Sequence, residues 1–121
     1  MCISFGDICF AYMNSKAEET QTHSSVQSGL RPVLIAQNDI GNKYSTTVTV
    51  IPFTGKKKAS YMPTHIAVDD FIECGLTYKS VLMVEQIQTI SKNNVISHIG
   101  RLPEKYYPEI AKAINIQCPF I

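Results

Sequence analysis

A chain of 121 residues, 45% of them hydrophobic and with a formal charge of +1, is long enough to bury one core and too short for two ordinary domains. That balance excludes a disordered tail and a strongly basic nucleic-acid binder, so an anionic partner has to be met by a local patch. The cysteines at 2, 9, 74 and 118 form no C-x-x-C pair, which suggests neither a metal site nor a disulfide framework; free buried thiols in a reducing compartment are the expectation. Residues 1–7 lack the basic flank and apolar block of a secretory signal, and no later run has the length of a membrane span. The sequence therefore reads as a soluble, cytoplasmic protein with no membrane partner.

In chain order, Gly6-Asp7 leads into Ile8-Cys9-Phe10-Ala11-Tyr12, an apolar run too short for a helix and suited to a first strand. Residues 14–28 are polar with almost no apolar anchors and read as a long loop, of the kind that binds ligands or is simply disordered. Then Gly29 frees the backbone, Pro32 favours an extended Arg31, and Val33 to Ala36 form a core strand. Arg31 is thus delivered to the mouth of a buried strand and is the leading functional candidate. Asn38-Asp39 closes that strand, and residues 41–45 read as a turn.

Residues 46–53 alternate hydroxyl and β-branched side chains as a half-buried strand does, with Pro52 predicting an edge or a bulge, and the strand ends at Thr54-Gly55. Lys56, Lys57 and Lys58 follow as a cationic flap able to neutralise phosphates, or as a solvated turn. A short strand enters through Pro63 and ends at Asp69-Asp70. The apolar run from Ser80 reads as a central strand interrupted by Glu85-Gln86, whose polar groups either face a cleft or bond a neighbouring loop. Residues 88–91 continue it, Asn93-Asn94 turns the chain, and 95–100 are the last apolar segment.

The one strong helix signal is C-terminal: Tyr107, Ile110, Ala111, Ile114 and Cys118 recur at helical spacing, a stripe expected to pack on the sheet. Pro103 or Pro108 suits a first turn, Pro108 predicts a one-turn helix before Tyr107 and a longer one after it, and Pro119 is the stop. Five to seven short strands with one terminal helix make a mainly β fold, a small, bent, mostly antiparallel barrel in a single domain over residues 1–121.

The ordered set Gly6-Asp7-Ile8, Gln27-Ser28-Gly29-Leu30-Arg31-Pro32-Val33, Gln37-Asn38-Asp39, Ile51-Pro52-Phe53-Thr54, Pro63-Thr64-His65-Ile66, Glu85-Gln86-Ile87 and Ile99-Gly100-Arg101-Leu102 resembles the MazF/PemK/Kid toxins. Residues 37–45 look especially like the MazF toxins of Gram-positive bacteria. The resemblance implies an SH3-like barrel of the MazF/PemK/CcdB type. It also implies a homodimeric toxin of a type II toxin–antitoxin system, an endoribonuclease that cuts single-stranded mRNA without metal or cofactor and is inhibited by a MazE-like antitoxin. Such enzymes use the RNA's own 2′-hydroxyl and leave 2′,3′-cyclic phosphate and 5′-hydroxyl ends.

The matching catalytic positions are Arg31 and Thr54. Their chemistry fits: a guanidinium clamps a phosphate through two hydrogen bonds, and a threonine hydroxyl donates to an oxygen that gains charge. Arginine stays protonated far above neutral pH, which suits it to phosphate stabilisation and proton donation and not to the role of base. Glu85 is either that base or a structural acceptor. Ser25, Gln27, Lys43, Lys56, Lys57, Lys58 and Gln86 are the implied RNA contacts, Gln86 reading a base edge or anchoring its loop. His65 reads as a packed, hydrogen-bonded residue, His98 lies in an apolar segment near the terminal helix, and His23 is in the loop.

Three departures from the family pattern stand out. Ser25-Val26-Gln27 replaces a Ser-Glu-Gln run, the first loop is longer, and Gln88 stands where an arginine is common, which weakens RNA binding and alters the cut motif. Two alternatives follow: a CcdB-like toxin that binds DNA gyrase on the same fold, and a weakened family member that only binds antitoxin.

Overall fold

The computed structural model describes residues 2–13, 29–55 and 62–120, and its strands are built around one long element. Strand β3 (Thr47–Gly55) has nine residues and three partners. Its first half pairs with β6 (Gln88–Ser91), from Thr47 opposite Ser91 to Val50 opposite Gln88. Its last three residues pair on the same edge with β5 (Ser80–Met83), from Phe53 opposite Leu82 to Gly55 opposite Ser80. The other edge holds β2 (Leu30–Ile35), with Val33 opposite Pro52 and Ile35 opposite Val50. Beyond β2 lie β1 (Asp7–Tyr12) and β7 (Val95–Arg101), and beyond β5 lies β4 (His65–Val68), giving the order β4-β5-β3-β2-β1-β7 with every pairing antiparallel.

Pro52 is therefore central, where an edge or a bulge was expected. It falls in the gap between the β6 and β5 pairings, so its missing N–H breaks no ladder on that edge.

Alternation along the strands fills a core on each face of the sheet. Ile8, Leu34, Ile51 and Phe53 point one way, with Leu82, Tyr106 and Ile110; Cys9, Ala11, Val33, Ile35, Val48 and Val50 point the other. Burial on both faces is why these strands read as nearly unbroken apolar runs. Cys9 and Cys74 are buried, as expected of free thiols, while Cys2 and Cys118 are exposed.

The expected turn at 41–45 is a short helix, α1 (Asp39–Tyr44). Asn38 caps it by accepting from the Gly41 N–H at 2.8 Å, and the Lys92 ammonium donates to the Asn42 and Ser45 carbonyls at its other end. Its apolar residues Ile40 and Tyr44 are exposed, so no core-facing stripe announced it. The run from Ser80 is broken by a one-turn 3₁₀ helix, Val84–Gln86, at the Glu85-Gln86 interruption.

At the C-terminus the Pro108 break appears as expected, a 3₁₀ turn at Glu104–Tyr106 followed by α2 (Tyr107–Gln117) with proline in its first turn. The buried stripe is not the expected one. Tyr106, Ile110 and Ala113 are buried, while Ala111, Ile114 and Cys118 face solvent. The Tyr106 hydroxyl donates to Asp70 Oδ2 at 2.8 Å, and that anchor turns the Tyr106 edge of the helix inward.

Candidate active site

The β2–β3 ladder ends at Val33 opposite Pro52, two residues from Arg31 on β2 and two residues from Thr54 on β3. Here β3 has already passed to its pairing with β5, Thr54 opposite Val81, and a cavity of about 290 Å³ opens beside β2. Arg31 and Thr54 line it together; Phe10, Phe53 and Ile99 form apolar walls, and Thr77 and Tyr78 form the rim. Arg31 is half-buried and Thr54 is 5% exposed, so the hydroxyl is held in the wall. Among the described residues, no carboxylate or imidazole lines this cavity.

The rim is fixed by backbone contact. Gly75 has φ +78°, and a Cβ on it would sit 1.8 Å from the Ile99 carbonyl oxygen; one on Gly100 would sit 2.0 Å from the Cys74 carbonyl oxygen. Loop and β7 thus meet with no side chain between them. Ser80 Oγ donates to the Tyr78 carbonyl at 3.0 Å and holds the turn into β5.

Glu85 lies elsewhere. Its Oε1 accepts from the Thr64 hydroxyl at 2.9 Å, and its Oε2 is 2.8 Å from His65 Nε2, which ties the 84–86 turn to the start of β4. The Val84 N–H donates to the Thr64 carbonyl at 3.1 Å in the same junction. His65 is accordingly a packed, bonded residue, and the half-exposed His98 lies 3.4 Å from Asp7. Gln86 is also outside the Arg31 cavity; its carbonyl accepts from Gln88 Nε2 at 3.4 Å. Lys43 is exposed on α1, 5.4 Å from the Tyr44 ring centroid, and lines a separate cavity with Asp39 and Lys92. Ser25, Gln27, Lys56, Lys57, Lys58 and His23 fall outside the described residues.

Sequence reasoning missed Thr77, Tyr78 and Ser80. The available signal was an aromatic residue placed between polar ones, Thr77-Tyr78-Lys79, just after a glycine. Among the described residues there is no group of three or more His, Cys, Asp or Glu side chains able to hold a metal ion, and no helix is long and apolar enough to cross a membrane.

The fold is thus a small antiparallel β domain that seats one arginine and one threonine hydroxyl in a single cavity. The chain belongs to the PemK-like, MazF-like toxin family of type II toxin–antitoxin systems, whose sequence profile matches residues 4–118. It is 39% identical over 100 residues to Endoribonuclease MazF of Staphylococcus saprophyticus, covering 83% of this chain and 82% of that one. It is 33% identical over 121 residues to Endoribonuclease EndoA of Bacillus subtilis, covering 100% and 98%. Among solved structures, the Mycobacterium tuberculosis toxin MazF-mt6 superposes with a TM-score of 0.74 at 26% identity over 95% of this chain and 98% of that one.

Proposed function

We propose that this chain is the toxin of a type II toxin–antitoxin pair and acts as an endoribonuclease on single-stranded RNA. The observation that carries the reading is the meeting of Arg31 and Thr54 in one cavity, in a chain whose relatives are named endoribonucleases. In the proposed reaction the 2′-oxygen of the RNA forms a bond to the adjacent phosphorus and releases its proton to solvent water, the bond from phosphorus to the 5′-oxygen breaks, and the departing oxygen takes up a proton from solvent water. Arg31 clamps two phosphate oxygens through its planar fork, and Thr54 donates to an oxygen as it gains charge. Every bond made or broken belongs to the RNA or to a proton, so the scheme uses no metal or cofactor.

Glu85 acts as a structural acceptor in this scheme, since both its oxygens are engaged at the β4 junction and it does not line the cavity. Gln86 and Lys43 touch RNA, where they touch it at all, beyond the Arg31 cavity. Ser25, Gln27 and Lys56 to Lys58 are proposed to extend the contact along the strand. A homodimer in the cytoplasm, inhibited by a MazE-like antitoxin, is the working assembly. An extended acidic peptide suits a groove that receives an extended acidic RNA, so inhibitor and substrate are expected to compete.

The test is incubation of the purified chain and its Arg31→Ala variant with a long unstructured RNA in EDTA, with cut sites and end chemistry mapped. Sequence-specific cuts with cyclic phosphate ends, absent from the variant, are expected. No cutting by folded protein across several RNAs would overturn the reading and restore the gyrase-binding alternative.

A further inference from the structure

We propose that Tyr78 is the stacking platform for the base of the nucleotide whose phosphate sits on Arg31 and Thr54. The proposal rests on the endoribonuclease reading and adds to it a residue that holds substrate. Tyr78 is 60% exposed and stands on the rim of the cavity between the polar neighbours Thr77 and Lys79. Its ring lies beside Gly55, the residue after Thr54: a Cβ at position 55 would come within 3.7 Å of Tyr78 Cε1. Because residue 55 has no side chain, β3 puts nothing between the ring and the cavity.

The backbone that carries the ring is also held in place. Ser80 fixes the Tyr78 carbonyl, and the loop behind it is seated on β7 through Gly75 and Gly100. A tyrosine on such a backbone, with only two side-chain torsions to fix, presents a flat apolar face at little cost in conformational entropy. The cavity of about 290 Å³ is at the small end of ligand pockets. With the anionic group fixed at the Arg31–Thr54 end, the apolar walls and the Tyr78 rim are what remains for the base.

Truncation to Tyr78→Ala is expected to weaken RNA binding about tenfold or more, seen in KM while kcat changes little, with Tyr78→Phe close to wild type because the ring carries the contact. The decisive test uses Tyr78→Trp, which gives the chain its only tryptophan. Its emission is titrated with a single-stranded oligodeoxynucleotide, which the proposed reaction cannot cut, and with an abasic oligomer of equal length. Strong quenching by the first and little by the second is the expected result. Equal quenching by both, or none by either, overturns the stacking role even if the wild-type chain cuts RNA. Failure of the ribonuclease reading registers separately, as uncut RNA, while the titration still decides whether a base stacks on residue 78.

Discussion

Arg31 and Thr54 line one cavity from two different strands, each two residues past the last pair of the β2–β3 ladder, where β3 has exchanged β6 for β5 as its neighbour. The strands that carry them are pinned by Val33 and Pro52 on one side and by the Thr54–Val81 pairing on the other. Both residues are thus carried by strands and not by loops, the kind of backbone preorganisation that favours a charged transition state.

Loss of one such donor is expected to slow single-turnover cleavage on the order of 10²- to 10³-fold. Thr54→Val keeps the shape of a side chain that is 5% exposed and should stay folded while losing that rate; Thr54→Ser should recover most of it. Arg31→Lys should fall nearly as far as Arg31→Ala, because an ammonium cannot reproduce the two-pronged contact. A Thr54→Val protein that cleaves at the wild-type rate would remove the hydroxyl from the mechanism.

Glu85 separates a structural role from a catalytic one. Thr64 is 3% exposed and its hydroxyl donates to Glu85, so Glu85→Ala leaves a buried donor without that acceptor, at a cost of about 1–3 kcal/mol. The expected result is a lowered denaturation midpoint with cleavage largely kept at temperatures where the variant is folded. An unchanged midpoint with abolished cleavage would make Glu85 the base instead.

Two glycines of positive φ make a graded prediction. Gly29 and Gly75 share φ +78°, so alanine costs each about 1–2 kcal/mol of backbone strain. At Gly29 no described atom lies within 4 Å of the added Cβ, and the effect should stop there. At Gly75 the same methyl meets the Ile99 carbonyl oxygen, and Gly75→Ala should be the far more damaging change in a chemical denaturation series. Comparable midpoints for the two variants would mean that the loop is not seated on β7 as described.

Much of this was legible in the sequence because it depends on local chemistry. The first strand, the Arg31 strand, the long strand ending at Thr54-Gly55 and the Pro108 break all announce themselves through burial pattern and proline. What was misread depends on partners distant in sequence. Pro52 looked like an edge residue because the exchange of β6 for β5 is a tertiary event. Helix α1 is held by a cap and by Lys92, fifty positions after Asn42, and not by an apolar stripe. The α2 stripe was misassigned because Tyr106 takes its orientation from Asp70. In the site, Arg31 and Thr54 were found by their motifs, whereas Tyr78 belongs to no motif and gains meaning only from its place beside Gly55.

Acid should loosen two specific junctions. The hydrogen bond from the Lys105 ammonium, with that from the Tyr106 hydroxyl, holds the Asp70 carboxyl below its usual value of 3.8. The Phe5 N–H, assisted by the Asn42 amide, does the same for Asp39. A depressed folded-state value means that each contribution is complete above the unfolded value and is lost as pH falls below it through the folded one. Melting temperature should therefore decline below about pH 4. Asp70→Asn and Asp39→Asn should melt lower at pH 7 and show a shallower acid decline; parallel acid limbs in variants and wild type would assign the decline to other groups.

The thiols divide in the opposite direction. Burial, with the nearby Asp7 charge adding to it, pushes the Cys9 thiol from 9.0 up to about 11. Burial, followed by the Asp70 and Glu73 charges, does the same for Cys74, again to about 11. Native protein treated with iodoacetamide at pH 8 should therefore be alkylated at the exposed Cys2 and Cys118 and spared at Cys9 and Cys74, as read by peptide mass spectrometry. A thiol whose folded value is raised stabilises the fold fully below the unfolded value of 9.0 and loses that contribution as pH rises through about 11. Alkaline unfolding should accordingly expose all the cysteines to the reagent together. Cys9→Ala, which removes one titrating thiol and only a small buried volume, should melt somewhat lower at neutral pH and flatten the decline between pH 9.0 and about 11. Rapid labelling of Cys9 or Cys74 in the folded protein at pH 8 would contradict their burial in the two cores.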